Sequence, residues 1–355
     1  MSFLWRAFLA LCLIVVLESG LGSTSPQYCT TYDEKPGRCL RFQDCPYILK
    51  VVNKVIQGKA LTIREKEIRE NSYQPCHKIK KTICCADPVN HRGLKLLKEE
   101  DANCGIFEEL LVMGGVEVRM GSRPWMALLK YGGFPYRESF RCGATVITPR
   151  YLLTAAHCLN VLQPYSVRLG EHNIMTQKDC AAYGKEVFCQ PRYQDVEVHS
   201  FVIHPDFNPI TGHNDIALIR LVRKIDTSRF TPICLPIYDQ VQQKIRNSTE
   251  QWVTGWGLFG KELSDVLREA QVKRLPHNCR SSLIDSQLCV TALGNDSCRG
   301  DSGGPLAYPY FYKDSQRIVQ TGIVSKGPTP CGKSKSAIYT DVTKFVPWIT
   351  QNIRA

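Results

Sequence analysis

This sequence predicts an all-β, antiparallel fold closed by a short terminal helix and preceded by a small disulfide-rich domain. Three observations carry that expectation. Strand-like apolar runs at Ala144 to Ile147, Tyr151 to Ala155, Ile216 to Leu221 and Ile318 to Val324 are broken by Gly and Pro. Six of the 17 cysteines crowd between Cys29 and Cys85, a stretch too short to rely on a large core. Val342, Val346, Trp348, Ile349 and Ile353 recur at helical spacing, which makes the C-terminus an amphipathic helix.

Along the chain, Met1 to Trp5 lead to Arg6 and an apolar run from Ala7 to Leu17, followed by the small residues Ser19-Gly20-Leu21-Gly22-Ser23. This reads as a secretory signal peptide over residues 1–22, cleaved near Gly22. The run is too short to span a bilayer comfortably, and no later stretch reaches about 20 apolar residues, so the expected product is secreted and extracellular with no membrane anchor. Cys12 leaves with the signal; of 17 cysteines 16 then remain, an even number that suits full pairing in an oxidising compartment.

Residues 23–85 form the small domain. Its cysteines Cys29, Cys39, Cys45, Cys76, Cys84 and Cys85 read as a disulfide framework that limits the unfolded chain. Zinc is the alternative, but the two close cysteine pairs that such sites use are missing. Residues 86–111 are a polar and charged linker, and 112–355 are long enough for one large domain. A hydrophobic content of 43% is ordinary for a globular chain. The net charge of +12 comes without a long basic block, and Lys78, Lys80 and Lys81 are the densest cluster. No nucleic-acid module accompanies it, so a solvated surface is expected, suited at most to acidic partners.

The chemistry lies in three motifs. Cys298-Arg299-Gly300-Asp301-Ser302-Gly303-Gly304-Pro305 places a serine among glycines whose backbone N–H groups can converge on one point. A serine hydroxyl is a weak nucleophile and needs a base plus donors for the developing oxyanion, here the N–H groups of Gly300 and Ser302. Tyr151-Leu152-Leu153-Thr154-Ala155-Ala156-His157-Cys158 ends an apolar strand on a histidine, the candidate base. His213-Asn214-Asp215-Ile216-Ala217-Leu218-Ile219 puts a carboxylate at the mouth of another strand, where it can orient an imidazole. The order His, Asp, Ser matches one of the known versions of this triad.

With these motifs the chain resembles the trypsin-like serine proteases. The segment closing on Cys84-Cys85 resembles the CLIP domain that precedes many arthropod serine proteases. Gly115-Val116-Glu117-Val118-Arg119 and Ser122-Arg123-Pro124-Trp125-Met126-Ala127-Leu128-Leu129 are similar to the easter, Grass and prophenoloxidase-activating group. The resemblance implies two antiparallel six-stranded β-barrels with the triad in the cleft between them. It implies the pairs Cys29 with Cys84, Cys39 with Cys76 and Cys45 with Cys85. In the protease domain it implies Cys142 with Cys158, Cys180 with Cys189, Cys279 with Cys289, Cys298 with Cys331, and Cys104 with Cys234 as a tether across the activation cut.

Proteases of this group are made as zymogens, cut before a short apolar-Gly-Gly segment, here Val112-Met113-Gly114-Gly115. By resemblance the new Val112 ammonium pairs with Asp301, because a buried charge needs a partner. The residue before the cut is Leu111, and no basic residue stands between Cys104 and Val112. Asp296, six residues before Ser302, corresponds to the floor of a pocket that selects Arg or Lys. Its carboxylate has nothing to pair with in an apolar side chain, so activation is expected from an upstream protease with apolar preference and not from the enzyme itself.

By the same resemblance Ser325, Gly327 and Ala337 line the pocket. Lys326 stands where a large apolar residue is usual, and Ala337 where glycine is usual. The loop that begins at Glu171 and continues through Asn173 and Thr176 to Asp179 resembles a calcium loop, with carboxylates from Glu171 and Asp179 and main-chain oxygens from Asn173 and Thr176. A solvated polar loop is the alternative. Asn247-Ser248-Thr249 is an exposed glycosylation sequon, whereas Asn295-Asp296-Ser297 runs through the pocket floor and is expected to stay bare.

Two function classes follow. One is a secreted endopeptidase cutting after Arg or Lys in an extracellular immune or developmental cascade, in hemolymph if the source is an arthropod. Its partners would be the activating protease, a downstream protease zymogen and a serpin inhibitor. The other is a catalytically weak scaffold that recruits proteases through its CLIP domain.

Overall fold

The structure is a computed structural model that describes residues 28–31, 36–72, 76, 82–86, 89–107, 116–133, 136–183, 185–259, 262–275, 284–292, 300–312, 315–327 and 336–355. The expected signal peptide with Cys12, the expected cut between Leu111 and Val112, and Cys279, Asn295, Asp296, Cys298 and Cys331 lie outside the described residues. The chain divides into two compact units, with the boundary after residue 87.

In the N-terminal unit, strands Tyr28–Thr30, Pro36–Arg41 and Thr82–Ala86 pair antiparallel in that order. Helices Pro46–Ile56 and Ile63–Asn71 follow the second strand. Pro46 stands in the first helical turn, where its missing N–H costs no hydrogen bond. Thr62 starts the second helix with a capping box: its Oγ1 accepts from Glu65 N at 3.2 Å, and Glu65 Oε2 accepts from Thr62 N at 2.9 Å. Lys54 Nζ reaches Glu65 Oε1 at 2.6 Å and joins the two helices.

The apolar centre of this unit is small, built on Cys45, Ile48, Ile68, Ile83 and Cys85. Disulfides Cys29–Cys84, Cys39–Cys76 and Cys45–Cys85 supply the constraint that so small a core lacks. The zinc alternative fails because all six sulfurs are bonded in pairs.

In the larger unit, strands Gln194–Ile203, Ala217–Leu221, Tyr151–Thr154, Tyr136–Thr148, Met126–Gly133 and Ser166–Leu169 pair antiparallel and close into a barrel. A second set, Glu250–Gly255, Pro305–Tyr312, Ser315–Lys326, Ala337–Asp341, Gln287–Ala292 and Arg268–Leu275, also closes, because its first and last strands pair. Val116–Glu117 adds to its edge. The four apolar runs read from the sequence fall in these strands, except that Ala155 and Ile216 stand one residue outside them. Residues such as Val146, Leu152, Leu169 and Ile219 fill the first barrel, and Val272, Leu288, Leu306 and Tyr339 the second.

Two segments differ from the sequence reading. The linker contains a helix, His91–Glu99, capped by Asn90 Oδ1 accepting from Arg92 N at 2.9 Å and Gly93 N at 3.1 Å. This helix packs on the C-terminal helix so closely that a Cβ at Gly93 would lie 1.8 Å from Thr350 O. The terminal helix is split into a 3-10 turn at Val342–Lys344 and an α-helix at Val346–Asn352. Pro347 explains the break, since proline is tolerated only in the first turn of a helix.

Candidate active site

His157 is presented by the end of strand Tyr151–Thr154, which is buried along its whole length. Ala155 and Ala156 are fully buried and small, so the chain turns at once into the helical turn His157–Asn160. The Cys142–Cys158 disulfide and the Tyr131 hydroxyl, which donates to Cys158 O at 2.9 Å, hold that turn. Asp215 stands just ahead of strand Ala217–Leu221. Asn214 before it has φ 54°, a left-handed conformation in which asparagine is enriched, and its Nδ2 donates to Asp206 O at 3.0 Å. Thr340 Oγ1, from the second barrel, donates to Asp215 O at 2.8 Å.

These elements bring the two side chains together. His157 Nδ1 lies 2.7 Å from Asp215 Oδ2, and the His157 backbone N–H donates to Oδ1 at 2.8 Å. The Asp215 side chain is 2% exposed and that of His157 34%, so the carboxylate is sealed while the imidazole edge faces the cleft. Ser325 Oγ donates to the same Oδ2 at 2.5 Å. Sequence reasoning assigned Ser325 to the pocket wall and missed this contact, which spans 110 residues and has no local signal.

Ser302 is carried on the turn before strand Pro305–Tyr312. Its carbonyl accepts from Gly143 N at 2.8 Å, which pins the turn to the first barrel. Gly303 has φ +79°, and a Cβ there would fall 2.3 Å from Thr154 Oγ1 and 3.2 Å from Cys158 Sγ, so only glycine lets the serine turn lie against the histidine turn. The N–H groups of Gly303 and Gly304 are bonded to Val324 O and Asp301 O. Among the described residues those of Gly300 and Ser302 have no partner, so two donors flank the serine uncommitted. Ser302 Oγ also has no hydrogen-bond partner among the described residues. Such bonds often tighten only with substrate in place.

Asp301 Oδ1 accepts from Gly257 N at 2.8 Å. Gly327 is exposed beside Lys326, and Ala337 is buried in the second barrel's apolar cluster, paired with Val290. The pairs Cys104–Cys234 and Cys180–Cys189 are formed, and Cys289 is disulfide-bonded.

The expected calcium loop has buried carboxylates. His172 N donates both to Glu171 Oε1 at 3.0 Å and to Asp179 Oδ2 at 3.2 Å. Burial, and then the Asp179 charge, push the Glu171 carboxyl up to about 7. Arg168 Nη1, 3.2 Å from Glu171 Oε2, offsets only part of that. Asp179 Oδ2 also accepts from Asn173 N at 3.3 Å and Gln190 Nε2 at 2.9 Å, so the chain itself satisfies much of this carboxylate, although two adjacent buried carboxylates are the oxygen ligands that suit a hard divalent cation. The Asn173 carbonyl is engaged by Thr176 N at 3.0 Å and Thr176 Oγ1 at 3.2 Å, and Thr176 Oγ1 also bonds Asp179 Oδ1. Asn247, the exposed sequon residue, caps the helix Asp239–Arg246.

Comparison with known proteins agrees with this geometry. The Trypsin family matches residues 112–349, and the regulatory CLIP domain of proteinases matches residues 29–85. Serine protease grass of Drosophila melanogaster is 35% identical, over 96% of this chain and 96% of that protein. Phenoloxidase-activating factor 3 of Holotrichia diomphalia is 32% identical over 98% and 99%, and melanization protease 1 of Drosophila melanogaster 31% over 96% and 97%. The crystal structure of the drosophila Grass clip serine protease of the Toll pathway superposes with a TM-score of 0.69 at 35% identity, covering 92% of this chain and 96% of that one.

Proposed function

The chain belongs to the trypsin family of serine proteases and carries a regulatory CLIP domain, and from that premise we propose that it is a secreted zymogen whose endopeptidase cuts after Arg or Lys in an extracellular cascade. The observation that supports this most is the doubly bonded His157–Asp215 pair, set beside a serine flanked by two uncommitted N–H donors. Ser302 Oγ attacks the scissile carbonyl as His157 Nε2 takes its proton. Asp215 holds the Nδ1 proton and the ring orientation, and the N–H groups of Gly300 and Ser302 bind the oxyanion. The tetrahedral species collapses with loss of the amine, which His157 protonates. Water then releases the acyl group by the same steps.

Asp296, six residues before Ser302, supports a basic residue on the acyl side, with Ser325, Gly327 and Ala337 around it. Leu111 supports activation by a different protease, one that accepts an apolar residue. Cutting after Leu111 frees the Val112 ammonium to pair with Asp301. The Cys104–Cys234 bond, closed over 130 residues, keeps both chains joined.

The relatives' own names refer to melanization, phenoloxidase activation and the Toll pathway, which supports an innate-immune cascade with a downstream zymogen as substrate and a serpin as inhibitor. Calcium bound by Glu171, Asp179 and the main-chain oxygens of Asn173 and Thr176 would neutralise the loop and stiffen it. No helix among the described residues is long and apolar enough to cross a membrane.

The test is hydrolysis of Arg, Lys and Leu peptide amides by the chain cut after Leu111, set against Ser302→Ala. Turnover of the Arg and Lys substrates that the variant loses supports the proposal. Equal rates in both proteins would leave only the scaffold reading.

A further inference from the structure

The helix Asp239–Arg246 buries Val241 and Ile245 against the Cys104–Cys234 disulfide, with Tyr308 and Tyr310 packed on the same cluster. Its outer face then runs beside the hairpin joining strands Pro305–Tyr312 and Ser315–Lys326, leaving a groove of about 470 Å³. One wall is polar: Gln240, Gln243, Lys244 and Asn247, at the i, i+3, i+4 and i+7 positions of one helix face. The other is aromatic, made by Tyr308, Tyr310 and Phe311. Phe311 is 72% exposed, a conspicuous exposure for a ring of that size.

Among the described residues, the side-chain amides of Gln240, Gln243 and Asn247 and the hydroxyls of Tyr308 and Tyr310 make no hydrogen bonds within the chain. A ligand suited to this groove therefore has flat apolar faces and many hydroxyls. Carbohydrate answers that description, since the C–H face of a pyranose stacks on an aromatic ring while its rim bonds to amides.

The chain itself supplies an attachment point for the sugar. Asn247 opens the sequon Asn247-Ser248-Thr249, is exposed at the helix end, and is itself part of the groove wall. At 1.5 Å of rise per residue, Gln240 lies roughly 10 Å back along the helix from Asn247, roughly the span of two linked pyranose rings. We propose that an N-linked glycan on Asn247 folds back into this groove and covers the aromatic hairpin Tyr308–Tyr312. In the attachment step, Asn247 Nδ2 bonds to the anomeric carbon of a lipid-diphosphate-linked oligosaccharide. The sugar–phosphate C–O bond breaks, the lipid diphosphate leaves, and the amide loses one proton. The inference rests on secretion as proposed above, and it concerns a surface that takes no part in catalysis.

The experiment uses the full chain with its leader, expressed in eukaryotic cells and collected from the medium. Peptide masses report whether Asn247 is modified. Amide hydrogen exchange and tyrosine nitration are compared before and after the glycan is removed enzymatically from the folded protein, and in an Asn247→Gln variant. The expected result is a glycan on Asn247 whose removal speeds exchange across Tyr308–Tyr312 about threefold or more and raises nitration of Tyr308 and Tyr310, while hydrolysis of Arg substrates stays unchanged. Secreted, active protein with a bare Asn247 overturns the inference and leaves the protease reading standing. A modified Asn247 whose removal changes neither readout overturns it too, since the glycan then points to solvent. Strong protection of the hairpin in the glycan-free protein shows another occupant and also overturns it. A chain that stays inside the cell unmodified defeats both readings.

Discussion

Asp215 grips His157 at two points, with Oδ2 on the ring Nδ1 at 2.7 Å and Oδ1 on the backbone N–H at 2.8 Å. The second contact locks the carboxylate to the same residue whose ring it orients, so the carboxylate cannot rotate without losing both. Asp215→Asn keeps the shape but puts a donor where the Nδ1–H needs an acceptor. The expected loss is about 10⁴-fold in kcat with little change in KM, as for this substitution in other enzymes of the triad type. Steady-state kinetics on an Arg amide checks it.

Ser325 is the third donor to Asp215, through its Oγ on Oδ2. A bond to a charged acceptor is worth about 1.5 kcal/mol, or about tenfold in rate if it acts only by fixing the carboxylate. Ser325→Ala should therefore lower kcat about tenfold at unchanged KM. A rise in KM alone would assign Ser325 to the pocket wall only.

Gly93 has no room for a side chain, since an added Cβ would sit 1.8 Å from Thr350 O. Gly93→Ala must push the helix His91–Glu99 off the C-terminal helix and should cost about 1–3 kcal/mol. Thermal unfolding reads this as a Tm several degrees lower. An Ala variant of unchanged Tm would mean that this helix is not docked in solution.

His204 is buried against Phe345 and Trp348, with Nδ1 accepting from Asp206 N at 3.2 Å. Burial holds its imidazole down to about 4, with the Asp206 carboxylate opposing weakly. Its folded value is below the unfolded one near 6.5, so the neutral form is the one that fits. The corresponding stability is full above about pH 6.5 and is lost as pH falls toward 4, amounting to about 3 kcal/mol across that window. Denaturant titrations at several pH values should show this slope, and His204→Gln should flatten it.

Glu171 and Asp179 share the His172 N–H donor in a buried loop. Millimolar Ca²⁺ should raise Tm at neutral pH through binding to the folded state only. Glu171→Gln should abolish that shift, and an equal shift in the variant would place the ion elsewhere.

Much of this was legible because the chemistry is local in sequence. His157 follows its own buried strand after two alanines, Ser302 sits in its own glycine turn, and the apolar runs mark strands of both barrels. What stayed hidden depends on long-range contact. Ser325 meets Asp215 only after both barrels close. The helix His91–Glu99 reads as linker because its charged residues and Gly93 mask Leu96 and Leu97, which gain meaning only against the apolar core they pack on. Pro347 shifted the terminal helix by setting where its first turn must lie.

In the proposed function Ser302, activated by His157 and Asp215, attacks peptide bonds after basic residues. The most direct measurement is the burst of acylation when the chain cut after Leu111 meets a slowly released arginine-like ester. One acyl group per molecule is expected, located on Ser302 by peptide mass, and none with Ser302→Ala or with a leucine-like ester. A burst of equal size from the leucine ester, or an acyl group on any other residue, would contradict it.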